Sequence, residues 1–299
     1  MNIEKAILQT LIYADIFDFP LKAWEIHKWL IGKKASLRQI EKALRRQSLE
    51  FKVKIQKGYY FLKGRENLVS KRLKRKRQSQ IYFNQAKLIS QTFKLIPWVK
   101  LVGISGSLAM ENSTKKDDID LFIITQKNRL FLSRLLLLGL TEITGKRRKK
   151  NEKPNKTSGK ICINTLLEEE NLGQKNKNIY LAHEILQMKV LWQKDRIYQK
   201  FLEENNWVFK YLPNWISGMN NEARSIKNGK KQTNHNLVFI ILDKILDFLE
   251  NLAKNFQLKY IGSPKGDEKI LNNALFFHPI DHGKEILKEY QKRLKRFKI

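Results

Sequence analysis

The stretch LVGISGSLAMENSTKKDDIDLFIIT, residues 101–125, is the most informative part of this sequence. One apolar run ends at Gly106-Ser107, and a second begins at Asp118-Ile119-Asp120. Because side chains alternate along a strand, we expect Asp118 and Asp120 on one face, with their Cα atoms about 6–7 Å apart. Two carboxylates this close repel each other without a cation, and Mg²⁺ prefers oxygen ligands. The pattern therefore predicts a divalent metal site at the start of the second strand.

The Gly106-Ser107 pair suits the approach of a phosphate chain, because it offers small side chains, backbone N–H groups and a hydroxyl. With the gap of about ten residues and then Asp118-Ile119-Asp120-Leu121, the pair resembles the signature of the DNA polymerase β-type nucleotidyltransferase superfamily. In particular, the stretch is similar to bacterial nucleotidyltransferase domains that read GSLAxxN…DIDLFIIT. Ser105 departs from the signature, which has an apolar residue before the glycine. The resemblance covers about 25 residues directly and, more loosely, 85–215.

The resemblance implies transfer of a nucleoside monophosphate from a nucleoside triphosphate (NTP) to a hydroxyl acceptor. Asp118 and Asp120 would be catalytic and would hold Mg²⁺ or Mn²⁺, and Gly106-Ser107 would hold the β- and γ-phosphates. Arg129 and Arg134 lie near the start of the next predicted helix and could reach the triphosphate. The alternative is that both are ordinary surface arginines.

A third carboxylate, on a later strand, is the general base in enzymes of this superfamily. The next predicted strand of this chain, 160–166, has Asn164 at the expected place, and an amide cannot take a proton. Asn164 would then contact the nucleotide. Glu168, Glu169 and Glu170 follow directly, and one of them, with Glu168 the first choice, could substitute as the catalytic base. They could equally be exposed acids that open the next segment. His183 or Glu184 could also reach the site, although a packed core histidine is the simpler interpretation.

Composition limits the class of protein. Lys and Arg number 59 against 29 Asp and Glu, a formal net charge of +30, and such an excess attracts polyanions. A Lys-rich drift of the whole proteome is the alternative. The single cysteine excludes an internal disulfide, and the five histidines show no metal-ligand spacing. Neither long apolar stretch reaches the ~18 uncharged residues of a membrane span, and the first residues do not read as a signal peptide. The sequence predicts a cytoplasmic protein with no membrane partner.

The first 64 residues predict three helices followed by a hairpin that turns at Lys57-Gly58, an order that resembles a winged helix. The third helix of a winged helix typically enters the DNA major groove. Arg38, Lys42 and Arg45 fall on the exposed face of that helix, and we expect them to contact nucleic acid. Winged helices also dock proteins, in which case these cations are solvated surface.

Two further segments are strongly basic. The segment 63–78 predicts a basic helix that could track a phosphate backbone through Lys71, Arg72 and Arg75, or could be a charged helix between domains. The segment 146–160 contains Pro and Gly and predicts an irregular basic loop close to the metal site. Its Arg147 and Arg148 could clamp a phosphate chain or an RNA acceptor, or belong to a solvated linker.

These observations predict an α+β protein with three parts: a winged-helix-like domain and basic linker over 1–78, a nucleotidyltransferase domain with a mixed sheet over 79–216, and a helical C-terminal region over 217–299, which opens with a polar linker. The favoured function is Mg²⁺-dependent nucleotidyl transfer from an NTP to a nucleic-acid end, with RNA or tRNA preferred over DNA. One alternative is a nucleic-acid-binding regulator with a degenerate, nucleotide-sensing domain. Another is nucleotidylation of a protein hydroxyl, which would make a protein the partner.

Overall fold

The computed structural model shows a mixed α+β protein, as the sequence predicts. The residues it describes are 2–46, 52–149, 152–153, 156–215, 237–262, 268–277 and 282–299. The predicted polar linker, 217–235, lies outside them. The three domain boundaries stay predictions, because nothing in the fold tests them.

Three helices and a hairpin form the N-terminal module. They are α1 (Ile3–Ile16), α2 (Ala23–Lys28), α3 (Leu37–Leu44), β1 (Val53–Gln56) and β2 (Tyr59–Leu62). The hairpin turns at Lys57-Gly58, where both residues have positive φ, and Leu21 bridges to Tyr60 beside it. Ser36 caps α3 by accepting the Gln39 N–H, which is the capping box the sequence predicts. The predicted elements are present, and their identification as a winged helix stays a prediction.

A six-stranded mixed sheet forms the centre of the molecule. Its strands lie in the order β6-β3-β4-β5-β8-β7, and β4 and β5 are parallel while the other neighbours are antiparallel. The bounds are β3 Val99–Ile104, β4 Ile119–Thr125, β5 Ile161–Glu168, β6 Lys189–Gln193, β7 Lys269–Ile270 and β8 Ala274–Phe276. The C-terminal region therefore supplies the short β7–β8 hairpin to this sheet, in addition to the helices that the sequence predicts.

The alternation along β4 assigns its side chains to two different cores. Ile119, Leu121 and Ile123 are fully buried on one face, against α4 (Leu68–Thr92) and α6 (Leu130–Ile143). Asp120 and Phe122 take the opposite face, where Phe122 packs against the core that includes the N-terminal helices. The metal-site face of the sheet is thus the face that the N-terminal module covers.

The remaining helices surround the sheet. They are α5 (Gly106–Ala109), α7 (Ile179–Gln187), α8 (Ile197–Glu204), α9 (Val208–Tyr211), α10 (Leu237–Ile261) and α11 (His282–Arg296), and a short 3₁₀ turn covers Phe93–Leu95. Helix α11 returns to the N-terminal module, where Tyr290 packs edge-on against Tyr13 and Arg293 pairs with Asp15. Across the described ranges, no helix combines the length and the apolar character that a bilayer-spanning segment needs.

Candidate active site

Two neighbouring parallel strands bring the predicted metal ligands together. In the β4–β5 register Asp120 lies beside Cys162, and Asp118 precedes β4 by one residue. One ligand atom from each of Asp118, Asp120 and Cys162 lies within 4.8 Å of the other two. The strand alternation predicted from the sequence therefore yields a compact cluster that could hold one metal ion.

Two side chains from β5 and the loop before it contact this cluster. The Arg148 guanidinium donates to Asp118 Oδ2 at 2.5 Å and to Cys162 Sγ at 3.5 Å. Asn164 Nδ2 donates to Asp120 Oδ1 at 3.2 Å. Arg148 therefore takes the place of a counter-cation, and Asn164 orients the second carboxylate. Their contact with a phosphate chain or a nucleotide stays a prediction.

The ligand types of the cluster favour a hard cation. Burial, and then the neighbouring Asp118 carboxylate, raise the pKa of Asp120 to about 8. Burial, and then the two carboxylates, raise the pKa of the Cys162 thiol well above its usual value, and a sulfur ligand is soft, which suits Mg²⁺ poorly. A divalent cation would offset the repulsion within the pair, and the carboxylate oxygens are the ligands that Mg²⁺ prefers. The donor set fits Mg²⁺ or Mn²⁺ through Asp118 and Asp120.

Gly106 lies next to the carboxylate of Asp120, and only glycine fits at this position. Its φ is +63°, and a Cβ built on it would lie 2.7 Å from Asp120 Oδ2. Its neighbour Ser105 donates its N–H to the Asp120 carbonyl at 3.0 Å, which fixes the two segments together. The glycine of the signature therefore keeps space for the carboxylate and for any ligand that approaches it.

The Ser107 hydroxyl has a partner inside the protein. It donates to Asp117 Oδ2 at 3.0 Å and lies 3.1 Å from Ser113 Oγ. Asp117 also accepts from the Thr114 N–H and hydroxyl, at 3.0 Å and 2.6 Å. This network shapes the loop between Gly106 and the Asp118/Asp120 pair, and no pattern in the sequence indicates that role for Asp117. Contact between Ser107 and phosphate stays a proposal.

The structure does not place Glu168 beside the metal pair. Glu168 is the last residue of β5, six residues beyond Cys162, which is roughly 20 Å along the strand. It is buried there, and burial together with Glu250 raises its pKa to about 7. The expectation that it substitutes for the third carboxylate does not agree with this position, because the strand runs away from the cluster.

Arg129 and Arg134 do not face the metal pair either, and they are not surface residues. Both are buried and bind α10: Arg129 donates to Asp247 at 2.5 Å, and Arg134 donates to Gln257 at 2.6 Å and lies over the Phe277 ring. The structure therefore supports neither expectation, contact with a triphosphate or an ordinary surface position. The sequence could not reveal this, because the partners of both arginines lie more than a hundred residues further along the chain.

Three cations of α4, Lys71, Arg72 and Arg75, bind partners inside the protein. Arg72 is buried, pairs with Glu25 at 2.9 Å, and lies 3.5 Å from the Phe19 ring centre. The neighbouring Lys71 and Arg75 bind acceptors of the N-terminal module and of the loop after Gly106; these acceptors are Asp18, the Phe17 carbonyl and Asn112. This part of the basic segment is therefore a charged helix between two modules, which is the alternative stated above.

The other predicted nucleic-acid residues are more accessible. Arg38, Lys42 and Arg45 are exposed on α3, as expected. Arg147 pairs with Glu142 at 3.3 Å, whereas its neighbour Arg148 turns into the metal cluster. Their contact with nucleic acid stays a prediction.

A cavity of about 540 Å³ opens onto the cluster. One wall is Gly106, Ser107, Asp117, Asp118, Asp120, Arg148 and Asn164, and the facing wall comes from the N-terminal module with Thr10, Tyr13, Ala14, Phe17, Phe19, Leu21 and Trp29. Helices α7 and α11 close its sides with Tyr180, His183, Glu184, Gln187, His282 and Ile286. The volume lies within the range of small-molecule sites. One wall is polar, with charges of both signs, and the other is largely aromatic and aliphatic.

Two titratable residues of α7 border this cavity. His183 stacks on Tyr13 with ring centres 4.3 Å apart and on Trp29 at 5.2 Å, and burial lowers its pKa to about 3. It is the packed, neutral histidine that the sequence favours. Burial raises the pKa of Glu184 to about 7, while the Gln187 side chain and the Gly106 backbone lower it. Glu184 therefore reaches the site, which the sequence left open.

Comparisons with known proteins add little. No family model and no curated protein matches this chain. A search of solved structures finds a chain from a crystal structure described as a toxin-antitoxin with AMP-PNP, which is 17% identical. The match covers 42% of this chain and 90% of that chain, with a TM-score of 0.26. A likeness this distant supports no argument about function, so function has to be argued from the geometry of the site.

Proposed function

We propose that this protein is a metal-dependent nucleotidyltransferase that moves a nucleoside monophosphate from an NTP to a hydroxyl group. The observation that supports this most strongly is the convergence of Asp118, Asp120 and Gly106 at the wall of a cavity large enough for a nucleotide. Two carboxylates beside a glycine that tolerates no side chain are a costly arrangement for a purely structural region. The arrangement suits a cation and the phosphates that accompany it.

In the proposed reaction, Asp118, Asp120 and Arg148 would have different roles. Asp118 and Asp120 would hold Mg²⁺, which neutralises charge on the triphosphate and lowers the pKa of the attacking hydroxyl when it is bound. Arg148 would contact a phosphate once a cation replaces it beside Asp118, because its guanidinium already lies at the cluster. The acceptor oxygen attacks the α-phosphorus in line, and pyrophosphate leaves. Such a reaction depends mainly on positioning and charge stabilisation.

A nucleic-acid end remains the proposed acceptor, with RNA or tRNA preferred. The support is the net charge of +30 and the exposed basic face of α3. Lys71, Arg72 and Arg75 of α4 do not add to that support, because they bind partners inside the protein. The proposed contact surface is therefore smaller than the basic composition alone indicates.

The test is transfer of label from each α-³²P-labelled ribonucleoside triphosphate, with Mg²⁺, to a mixture of total tRNA and total cell protein. We expect label in RNA from the wild-type protein and none from the Asp118→Asn/Asp120→Asn double variant, which preserves shape but removes charge. Label in protein instead of RNA would show that the acceptor is a protein, and the proposed nucleotidyl transfer would still hold. Equal transfer by the double variant would show that these carboxylates do not catalyse it.

A second candidate function is nucleotide sensing without transfer. Asn164 favours it, since β5 carries an amide where the superfamily has its general base. In that case the wild-type protein would bind NTP with Mg²⁺ and transfer no label to either acceptor. The two functions are therefore separated by turnover and not by binding.

A further inference from the structure

The cluster on β4 and β5 provides no proton acceptor for the transfer reaction. The amide of Asn164 cannot take a proton, and Glu168 lies roughly 20 Å away along the strand. The two remaining carboxylates, Asp118 and Asp120, are the metal ligands. A transferase built on this site would need a base from another element.

Helix α7 places the carboxylate of Glu184 near Gly106, the glycine that lies beside Asp120. Glu184 borders the cavity, and the Gly106 backbone lowers its pKa, while Asp120 Oδ2 lies 2.7 Å from the place where a Gly106 Cβ would be. The two carboxylates therefore flank one residue, and the negative charge of Glu184 contributes to the raised pKa of Asp120. Glu184 is within reach of a group that binds between the metal pair and α7.

The position of Glu184 is fixed from two sides. Asn178 caps α7 by accepting the Leu181 N–H at 2.9 Å, and the apolar residues of the helix are buried beneath it. Gln187, one turn later, donates to Glu184 Oε1. The carboxylate is thus held toward the cavity by a capped, packed helix, which is the kind of support that a catalytic group needs.

We propose that Glu184 is the general base that accepts the proton of the acceptor hydroxyl in this site. The acceptor O–H bond breaks and its proton moves to the Glu184 carboxylate, while the oxygen forms a bond to the α-phosphorus. The bond from the α-phosphorus to the oxygen that bridges to the β-phosphorus breaks, and its electron pair leaves with pyrophosphate. This inference rests on the proposed function and adds a residue that the superfamily signature does not contain.

The chemistry of the group agrees with this role. Burial raises the pKa of Glu184 to about 7, although the Gln187 and Gly106 hydrogen bonds act in the opposite direction. A base with a pKa near the working pH is efficient, because it is largely deprotonated and still accepts a proton well. Burial also raises the pKa of Glu168 to about 7, but Glu168 lies at the far end of β5. It is therefore a control with a similar pKa at a position away from the cavity.

The experiment compares Glu184→Gln with Glu168→Gln in the labelled-NTP transfer assay, from pH 5.5 to 8.5. We expect Glu184→Gln to slow transfer by about 100-fold or more, to lose the rise in rate with pH, and to keep Mg²⁺-dependent NTP binding. We expect Glu168→Gln to match the wild-type rate and profile. Adding Asn164→Asp to Glu184→Gln should restore part of the rate, because it returns a carboxylate to the β5 position.

The outcomes separate this inference from the proposed function. Wild-type rate and pH profile in Glu184→Gln, or loss of transfer in Glu168→Gln alone, would overturn the role of Glu184 and leave the transferase intact. No transfer by the wild-type protein would overturn both. If Glu184→Gln does not fold, Glu184→Asp replaces it; we expect a slower rate with the pH rise retained, and a wild-type rate would overturn the inference.

Discussion

Replacing Gly106 by alanine should damage both the fold and the metal site. An alanine at φ +63° costs about 1–2 kcal/mol, because L-residues avoid the left-handed region. The new Cβ would also lie 2.7 Å from Asp120 Oδ2, so the carboxylate has to leave its rotamer at about 0.5–1.5 kcal/mol. Displacement of that carboxylate weakens the Asn164 hydrogen bond, worth about 1 kcal/mol. We expect a total loss of roughly 2.5–4.5 kcal/mol of unfolding free energy.

Urea unfolding and Mn²⁺ binding measure the two effects, and Gly58→Ala is the control. Gly58 has φ +76° in the hairpin turn and nothing within 4 Å of an added Cβ, so its variant should lose only about 1–2 kcal/mol and bind Mn²⁺ normally. The Gly106→Ala variant should lose more unfolding free energy than Gly58→Ala and should bind Mn²⁺ poorly. Equal stability of the two variants, with unchanged Mn²⁺ binding, would refute the close approach of Gly106 to the carboxylate.

Three further perturbations test other parts of the structure. Arg72→Ala should lower the unfolding free energy by about 3–5 kcal/mol, because it leaves the Glu25 carboxylate buried without its partner; urea unfolding measures this. Arg148→Ala should tighten Mn²⁺ binding without nucleotide by up to about fivefold, since the competing cation is gone, while Arg147→Ala should not; paramagnetic resonance titration measures both. His183→Phe should remove a pH-dependent loss of stability below about pH 6.5, measured by urea unfolding at several pH values.

The sign of the histidine effect follows from its lowered pKa. In the unfolded chain the imidazole takes a proton below about pH 6.5, whereas burial keeps it neutral in the folded protein down to about pH 3. The stability that His183 contributes is therefore complete above pH 6.5 and decreases by roughly 1.4 kcal/mol per unit as the pH falls. Phenylalanine preserves the stacking on Tyr13 and Trp29 and cannot be protonated. Identical pH dependence in both proteins would contradict a buried neutral histidine.

The two arginine predictions each have an outcome that would contradict them. An Arg72→Ala variant as stable as Arg77→Ala, an exposed position on the same helix, would show that α4 does not join the modules through a buried ion pair. Unchanged Mn²⁺ affinity in Arg148→Ala would show that its guanidinium does not compete for the metal site.

The central strands and the proximity of Asp118 and Asp120 could be predicted from the sequence because their signal is local. Alternation over Asp118-Ile119-Asp120-Leu121 determines which side chains share a face, and the structure places them accordingly. The same local rules predict the capping box of α3 and the hairpin turn at Lys57-Gly58. In each case the interacting residues are within a few positions of one another.

Contacts over long sequence separations could not be predicted. Arg129 and Arg72 look like free cations in the sequence, because nothing near them reveals a partner such as Asp247 or Glu25. The strands of the β7–β8 hairpin, within 269–276, have two and three residues, which is too short for an alternating pattern. The basic composition therefore indicates more exposed positive surface than the fold presents.

The most direct measurement of the central claim is calorimetric binding of non-hydrolysable α,β-methylene analogues of the four ribonucleoside triphosphates. It would be made with and without Mg²⁺, on the wild-type protein and on Asp118→Asn/Asp120→Asn. We predict binding of at least one analogue by the wild-type protein that requires Mg²⁺, and none by the folded double variant. Binding by the wild-type protein that is independent of Mg²⁺, or equal binding by the double variant, would contradict a metal–triphosphate site at these two carboxylates.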